Sequence, residues 1–265
     1  MLRIKQHSVY EHFPDLKTVP GEPFVDLYDT TAEDFYTPYK GDHAVALLLE
    51  PRSLAPEQYR YVQMYPYEFR LILTHDSKLL KLPNAKPFNW ATVWCRTDSE
   101  KTKGISLVSS WKDWCPLHKE RLKLAQMFDG SLLVDCFGNF RDGEHDKMDP
   151  PELAHEHYRF GIAIENDIDN FWFTEKILNC FANKVVPIYL GSPVIGEFFN
   201  ANGIIQVRSA DEIPVIVQRL DVVREYEKRI DAINDNFERS KRWDIRWEDR
   251  LLVEYGQILE EVQNG

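Results

Sequence analysis

The sequence predicts an α/β protein of two lobes, each built on a parallel sheet, with a cleft between them. Three observations point there. The second half of the chain alternates short apolar runs with helical patterns, as strands buried on both faces by crossover helices do. A polar stretch, Arg96–Gly104 (RTDSEKTKG), interrupts the pattern and reads as a linker. With 265 residues, 43% hydrophobic and 13% aromatic, the chain has material for two cores and is not of disordered composition. The expected division is residues 1–100 for the first lobe and 101–265 for the second.

The second half is the more legible. Ile105–Ser109 reads as a strand, and a helix follows from Pro116 to about Met127, with proline at the first helical position, where an N–H has no partner. Leu132–Phe137 is the next strand, closed by Gly138-Asn139. Arg159–Glu165 is a third strand and Thr174–Asn183 a helix. Val185–Leu190 is a fourth strand, ending in Gly191-Ser192-Pro193, which reads as a turn, a serine N-cap and a proline opening another helix. Ile204–Val207 is a fifth strand, and helices run from about Ile213 to the C-terminus. The C-terminal helix is expected to cross back to the first lobe. Trp243, Trp247 and Leu251 fall at helical spacing and read as core. In the first hundred residues only Ala44–Glu50 (strand), Pro56–Tyr65 (helix) and Arg70–Thr74 (strand) stand out.

The formal charge of −11, from 32 basic against 43 acidic side chains, is a poor match for a nucleic-acid partner, which a basic face would serve. No apolar run approaches the roughly 20 residues of a membrane span, and Met1–His7 lacks the apolar core of a signal peptide. Cys95, Cys115, Cys136 and Cys180 show no C-x-x-C spacing and read as free thiols. The cytoplasm is the expected compartment; a domain cut from a longer anchored protein has the same features. No G-x-G-x-x-G or phosphate-binding P-loop occurs, against nicotinamide-dependent enzymes and kinases.

One segment carries the chemistry. A strand ends in Glu165-Asn166, a short loop follows, and a Thr174-capped helix opens with Glu175 and Lys176. Ligands of open α/β sheets bind at the carboxyl ends of the strands, where a helix N-terminus offers free N–H groups to a diphosphate. Lys176 adds a full charge, and Glu175 faces a developing cation or a hydroxyl. A Glu-Lys pair opening a helix is commonly just solvated, so the pair alone decides little.

The ordered run F-x-x-A-x-E-N, aromatic-x-T-E-K, V-P-I-Y-x-G-S-P, from Tyr158 to about Phe199, resembles the donor-binding motif of the α-1,3/4-fucosyltransferases. The resemblance implies a GT-B-like pair of Rossmann-like lobes, GDP-fucose as donor substrate, a glycan acceptor, inversion at the anomeric carbon, no cofactor and no bound metal. It places Glu165, Asn166, Trp172, Thr174, Lys176, Gly191 and Ser192 around the nucleotide sugar with Glu175 as a catalytic carboxylate. Trp172 stands where the family commonly has tyrosine and keeps a stacking surface. The family's general base is a Glu closing a first-lobe strand before a Pro-containing loop, a layout that Leu47-Leu48-Leu49-Glu50-Pro51 matches; a surface Glu closing a strand fits the same residues. Where the family has a phosphate-binding arginine this chain sets His118, which would have to be protonated, with a raised pKa, to serve. Arg121 and Lys119 are close enough to substitute, although Arg121 reads more easily as a surface residue.

Other patterns are discounted. Asp167-Ile168-Asp169 is a D-x-D, the metal-diphosphate signature of another glycosyltransferase fold, but it lies inside the same loop. His155-Glu156-His157 and Glu144-His145-Asp146 fit no zinc spacing. Two further readings remain open: a transferase of the same fold with a different nucleotide sugar, and a non-catalytic nucleotide-sugar or glycan-binding module.

Overall fold

The computed structural model describes residues 1–141 and 149–265. The chain forms two compact units. One comprises Met1–Trp90, Asp169–Trp172 and Arg246–Gly265; the other comprises Ala91–Ile168 and Phe173–Ile245. Each holds a five-stranded sheet in which every pair of neighbouring strands is parallel. The divide thus falls between residues 90 and 91 rather than at 100. Arg96–Gly104 is no linker, because it is bonded into the second unit. Arg96 reaches Asp244 at 2.7 Å and Ser240 at 3.1 Å, and the Thr97 N–H and hydroxyl both donate to Asn183 Oδ1, at 2.7 and 2.8 Å. Polar side chains with partners waiting in the fold look the same in sequence as solvated ones.

The first unit contains β1 (Ile4–His7), β2 (Val25–Asp29), β3 (Ala44–Leu47), helix α1 (Pro56–Met64), β4 (Leu71–Thr74) and β5 (Ala85–Pro87), with strands in chain order across the sheet. Side chains alternate between its faces. Ala44, Ala46 and Ile72 pack with Phe35, Tyr59, Val62 and Leu79 from the connections. On the opposite face, Val25, Leu27, Val45, Leu47, Leu71 and Leu73 meet Trp247, Leu251, Leu259 and Val262. These last four come from the C-terminal helix, Trp247–Asn264, which belongs to the first unit as the sequence suggested. The helix is also tied by polar contacts: His43 Nδ1 lies 2.7 Å from the Val262 carbonyl and the Arg3 N–H donates to Gln263 at 2.6 Å. Strands β1, β2 and β5 gave little sequence signal, being short and flanked by irregular chain.

The second unit contains β6 (Lys103–Val108), α2 (Pro116–Phe128), β7 (Val134–Phe137), β8 (Tyr158–Ile164), α3 (Glu175–Ala182), β9 (Val186–Leu190), β10 (Ile205–Gln206), α4 (Glu212–Arg219), α5 (Val222–Glu227) and α6 (Ile230–Ser240); the C-terminal helix is then α7. The sheet order is β10-β9-β8-β6-β7. Phe160, Ile162 and Ile164 of β8 pack with Leu124, Ala125 and Phe128 of α2 and Ile213 of α4. On the other face, Ala163 and Tyr189 meet Ile177, Leu178 and Phe181 of α3, with Phe173, Phe199 and Trp243. Gly161 lies on this side, where an added Cβ would come within 3.1 Å of the Cys180 sulfur, so α3 packs close to β8. Pro193 does not open a helix; the chain turns there and forms only a 3₁₀ turn at Ile195–Glu197. Among the described residues no helix is long and apolar enough to cross a membrane.

Leu251 and Leu259 of α7 are fully buried. Replacing either with alanine is expected to cost about 2–5 kcal/mol, the range for a large-to-small change in a packed core. Urea unfolding followed by tryptophan fluorescence reads the loss; a change below about 0.5 kcal/mol contradicts the role of α7 as the cover of this sheet.

Candidate functional site

In the second sheet the winding reverses between β6 and β8. The connection leaving β6 runs into α2 on one face, and the connection leaving β8 runs into α3 on the other. Such a reversal leaves a crevice at the carboxyl ends of the two central strands, which is where open α/β sheets bind ligands. Seven of the residues singled out in the sequence come from the two sides of this crevice: His118 and Arg121 from α2, and Glu165, Asn166, Thr174, Glu175 and Lys176 from the end of β8 and the start of α3.

Hydrogen bonds join the two sides. Arg121 Nη1 donates to the Ile164 carbonyl at 2.7 Å and to Asn166 Oδ1 at 3.3 Å. His118 Nε2 lies 2.9 Å from the same Oδ1, and the Cys115 thiol contacts the Asn166 carbonyl at 3.3 Å. Arg121, Glu175 and Lys176 share the wall of a cavity of about 90 Å³ with Val108, Ile162 and Ile164. Arg121 is therefore a buried cation beside the crevice, not a surface residue. The sequence signal was its spacing from His118: residues three apart lie on one helical face.

The charges are arranged in a chain. Glu165 is fully buried, and its carboxylate accepts from the Thr174 N–H at 2.9 Å and the Thr174 hydroxyl at 2.7 Å. Burial raises its pKa and the Glu175 charge adds to the rise, against the opposing pull of Lys176. The hydroxyl of Thr174 also caps α3, accepting from the Lys176 N–H at 3.4 Å. The Lys176 ammonium stands 2.8 Å from Glu175. Burial pushes the Glu175 carboxyl up, but the charge and hydrogen bond of Lys176 outweigh it and hold Glu175 below its ordinary value. Two neighbouring carboxylates are thus driven apart: Glu165 holds its proton more tightly and Glu175 stays ionised.

A role towards phosphate calls for a charged His118, and the surroundings of the ring oppose that charge. Burial, with help from the Arg121 charge, pushes its pKa down to about 4. The imidazole is neutral at physiological pH, and the positive charge on this side of the crevice comes from Arg121. Lys119 is an exposed residue of α2.

Trp172 offers no stacking surface. It is 0% exposed and belongs to the first unit, with ring-centre distances of 4.3 Å to His75 and 6.3 Å to Trp90. Its aromatic body reads in sequence as a binding platform, but it fills a core. Asp169 of the D-x-D is likewise structural, accepting from the Ser77 hydroxyl at 2.9 Å and the Ser77 N–H at 3.2 Å. His155 is buried, with Nδ1 2.7 Å from the Pro151 carbonyl; Glu144-His145-Asp146 lies outside the described residues. Among the described residues no group of three or more His, Cys, Asp or Glu side chains could hold a metal ion.

Gly191 and Ser192 follow β9. A Cβ on Gly191 would collide with the Tyr189 hydroxyl and come within 2.6 Å of Glu165 Cγ, so only glycine fits there. Ser192 is buried, its N–H donating to the Tyr189 hydroxyl at 3.0 Å and its carbonyl accepting from Gln206 at 3.0 Å. Both support the Glu165 end of the crevice. In the first unit, Glu50 follows β3; its carbonyl accepts from the Tyr59 hydroxyl at 2.7 Å, and its N–H contacts Thr30 Oγ1 at 3.4 Å. Sequence reading passed over Trp111 and Trp114, which are partly exposed on the loop between β6 and α2, their ring centres 6.0 Å apart. The signal was two tryptophans in a polar loop (S-S-W-K-D-W) directly before the proline of a helix start.

A buried carboxyl with a raised pKa binds its proton more tightly in the folded than in the unfolded state. Stability then falls as pH rises from the ordinary Glu value of about 4.3 through the higher folded value. Glu165→Gln, which cannot ionise and still accepts from the Thr174 N–H, is expected to remove that slope from a plot of Tm against pH. An unchanged slope in the variant assigns the proton elsewhere.

Comparison with known proteins fits this geometry. The model described as glycosyltransferase family 10 (fucosyltransferase), C-terminal part, matches residues 98–251. Over 138 residues the chain is 23% identical to a fucosyltransferase-like protein of Arabidopsis thaliana, covering 50% of this chain and 26% of that protein. Over 136 residues it is 27% identical to alpha-(1,3)-fucosyltransferase C of Drosophila melanogaster, covering 48% and 31%. The chain thus spans about a quarter to a third of the length of these relatives. Among solved structures, an α1,3-fucosyltransferase crystallised with GDP matches with a TM-score of 0.59 at 16% identity, over 98% of this chain and 90% of that one. The glycosyltransferase TarM matches with a TM-score of 0.56 at 9% identity, over 89% and 54%. At such identities the structural likeness establishes the fold, the two-lobed GT-B architecture of glycosyltransferases. The family model, matching more than half of the chain and all the residues of the crevice, establishes the rest: this chain belongs to glycosyltransferase family 10, the fucosyltransferases.

Proposed function

We propose that the protein is an inverting glycosyltransferase that moves fucose from GDP-fucose to a hydroxyl of a glycan acceptor. The observation that carries this reading is the meeting of Lys176, Arg121, Glu175 and Asn166 where the second sheet reverses its winding. A nucleoside diphosphate leaving group needs positive charge and N–H donors. Lys176, Arg121 and the N-terminus of α3 supply them without a metal. Glu175, held ionised by Lys176, is the carboxylate suited to an oxocarbenium-like transition state, as in glycoside hydrolysis. Glu50 is the proposed general base, taking the proton of the attacking acceptor hydroxyl; the first unit, on this reading, is the acceptor side. The free cysteines support a reducing compartment such as the cytoplasm.

A second reading, the same reaction with another nucleotide sugar, draws support from His118, which is neutral where the family has a charged arginine. A thermal-shift panel of GDP, UDP and their sugars, run with and without EDTA, separates the two, since a ligand raises apparent stability by mass action. A larger shift with UDP than with GDP favours the second reading; no shift with any of them sinks both.

Glu175→Ala and Lys176→Ala are expected to abolish most transfer while the fold survives, and Lys176→Ala to weaken GDP binding as well. Steady-state kinetics and calorimetry read the two effects; near-normal turnover in either variant removes that residue from the site. Glu50→Gln is expected to keep donor binding, because the change touches only the proton acceptor, and to slow transfer on the order of a hundred- to ten-thousand-fold. Loss of GDP binding in this variant places Glu50 in the donor pocket or in the fold instead.

A further inference from the structure

With Trp172 buried in a core, a different tryptophan stands at the crevice. Trp94 shares the wall of the cavity of about 90 Å³ with Arg121, Glu175 and Lys176. Its neighbours in the chain turn inward: Cys95 is buried and Val93 packs against the core that α3 covers. Trp94 itself is 58% exposed, and among the described residues no aromatic ring or cation packs on its indole. Trp94 and Asp149 are the exposed members of the cavity wall, so they mark its open side. The backbone beneath the indole is fixed. The Trp94 N–H donates to Asn179 Oδ1 at 2.9 Å, and the Val93 N–H donates to the Trp243 carbonyl at 2.9 Å. Asn179 lies one turn beyond Glu175 on the same face of α3, so Trp94 is anchored to the helix that carries the site.

The lining of the cavity decides what such a surface takes. The Ser106 hydroxyl, the His155 Nδ1–H and the Cys180 thiol each donate to a backbone carbonyl, of Ala154 at 2.6 Å, Pro151 at 2.7 Å and Lys176 at 3.4 Å. A sugar ring set against this wall brings several hydroxyls, and a hydroxyl buried without a partner is costly. A nucleobase lays a π face on the indole, and that face needs no hydrogen bond.

We propose that Trp94 is the stacking platform for the base of the nucleoside diphosphate donor, with the ribose and diphosphate leading from it towards Glu175, Lys176 and Arg121. This rests on the reading of the crevice as a nucleotide-sugar site and goes further, because it supplies the aromatic surface that Trp172 does not. Every base has a π face. The platform therefore serves guanine and uracil alike, and it gives affinity without choosing between the two donor readings.

The test uses Trp94→Ala and Trp94→Phe, with calorimetry on GDP and GDP-fucose, or on UDP and UDP-glucose if the wild type prefers uracil. Trp94→Ala is expected to weaken the diphosphate and its sugar by the same factor, roughly five- to a hundredfold, the range for loss of one base stack. Trp94→Phe keeps an aromatic face and is expected to recover most of that affinity. Because the indole is exposed, Tm is expected to change little in either variant. Stacking on the base also quenches indole fluorescence. Trp94→Phe is therefore expected to bind the nucleotide while losing most of the quench seen in the wild type. Affinity within twofold of wild type in Trp94→Ala overturns the proposal, as does a quench of wild-type size in Trp94→Phe. A loss confined to the nucleotide sugar, with the diphosphate bound normally, puts the indole on the sugar and overturns the base assignment. If the wild-type protein binds neither GDP nor UDP, the reading of the crevice fails and the platform fails with it.

Discussion

In the second sheet the chain moves outward from β6 in one direction and from β8 in the other. Right-handed crossovers that travel in opposite directions along a sheet must pass over opposite faces, and the packing of α2 and α3 on the two cores reflects that. The carboxyl ends of β6 and β8 lie where the two windings part, with the starts of α2 and α3 after them. The donor side of the proposed site depends on this reversal. It brings Arg121 within 3.3 Å of Asn166, though 45 residues separate them in the chain.

Around that opening the protein manages charge with few groups. A buried carboxylate is costly unless it is bonded or paired. Glu165 is bonded by the cap residue of α3, and Glu175 is paired with the lysine that follows it. Thr174 joins the two arrangements, since one hydroxyl serves Glu165, the α3 cap and the Lys176 side chain at 3.2 Å. The T-E-K triplet is thus a mechanical unit as well as a chemical one. Gly191 and Tyr189 close the same network from β9, which explains why the motif extends so far along the chain: its parts touch in the fold.

The first sheet shows the opposite constraint. Its strands run in chain order, and the connections from β2 to β5 supply the cover of one face. The other face would stand open to water but for the last helix of the chain, helped by Phe13 from the β1–β2 connection. A sheet wound in one direction needs a cover from elsewhere, and here it comes from the far end of the sequence. This makes the fold of the first unit non-local, with Arg3 bonded to Gln263, 260 residues further along the chain.

What the sequence determined by itself were the features carried by local pattern. The strands and helices from Ile105 to Leu190 follow from apolar runs, the proline at the start of α2 and the threonine cap of α3. The cluster of Glu165, Asn166, Thr174, Glu175 and Lys176 was legible because it lies in one short segment whose order is specific. Tertiary structure alone decided the rest. Whether His118 is charged, whether Arg121 is buried, whether Trp172 stacks on a ligand or fills a core, and whether residues 96–104 link or pack all depend on which distant groups surround them. Burial and proximity set protonation, and neither is written in a residue's own neighbours. Arg121 and Trp172 make the contrast plain: a charge that reads as surface became part of the site, and an aromatic that reads as a binding surface became core.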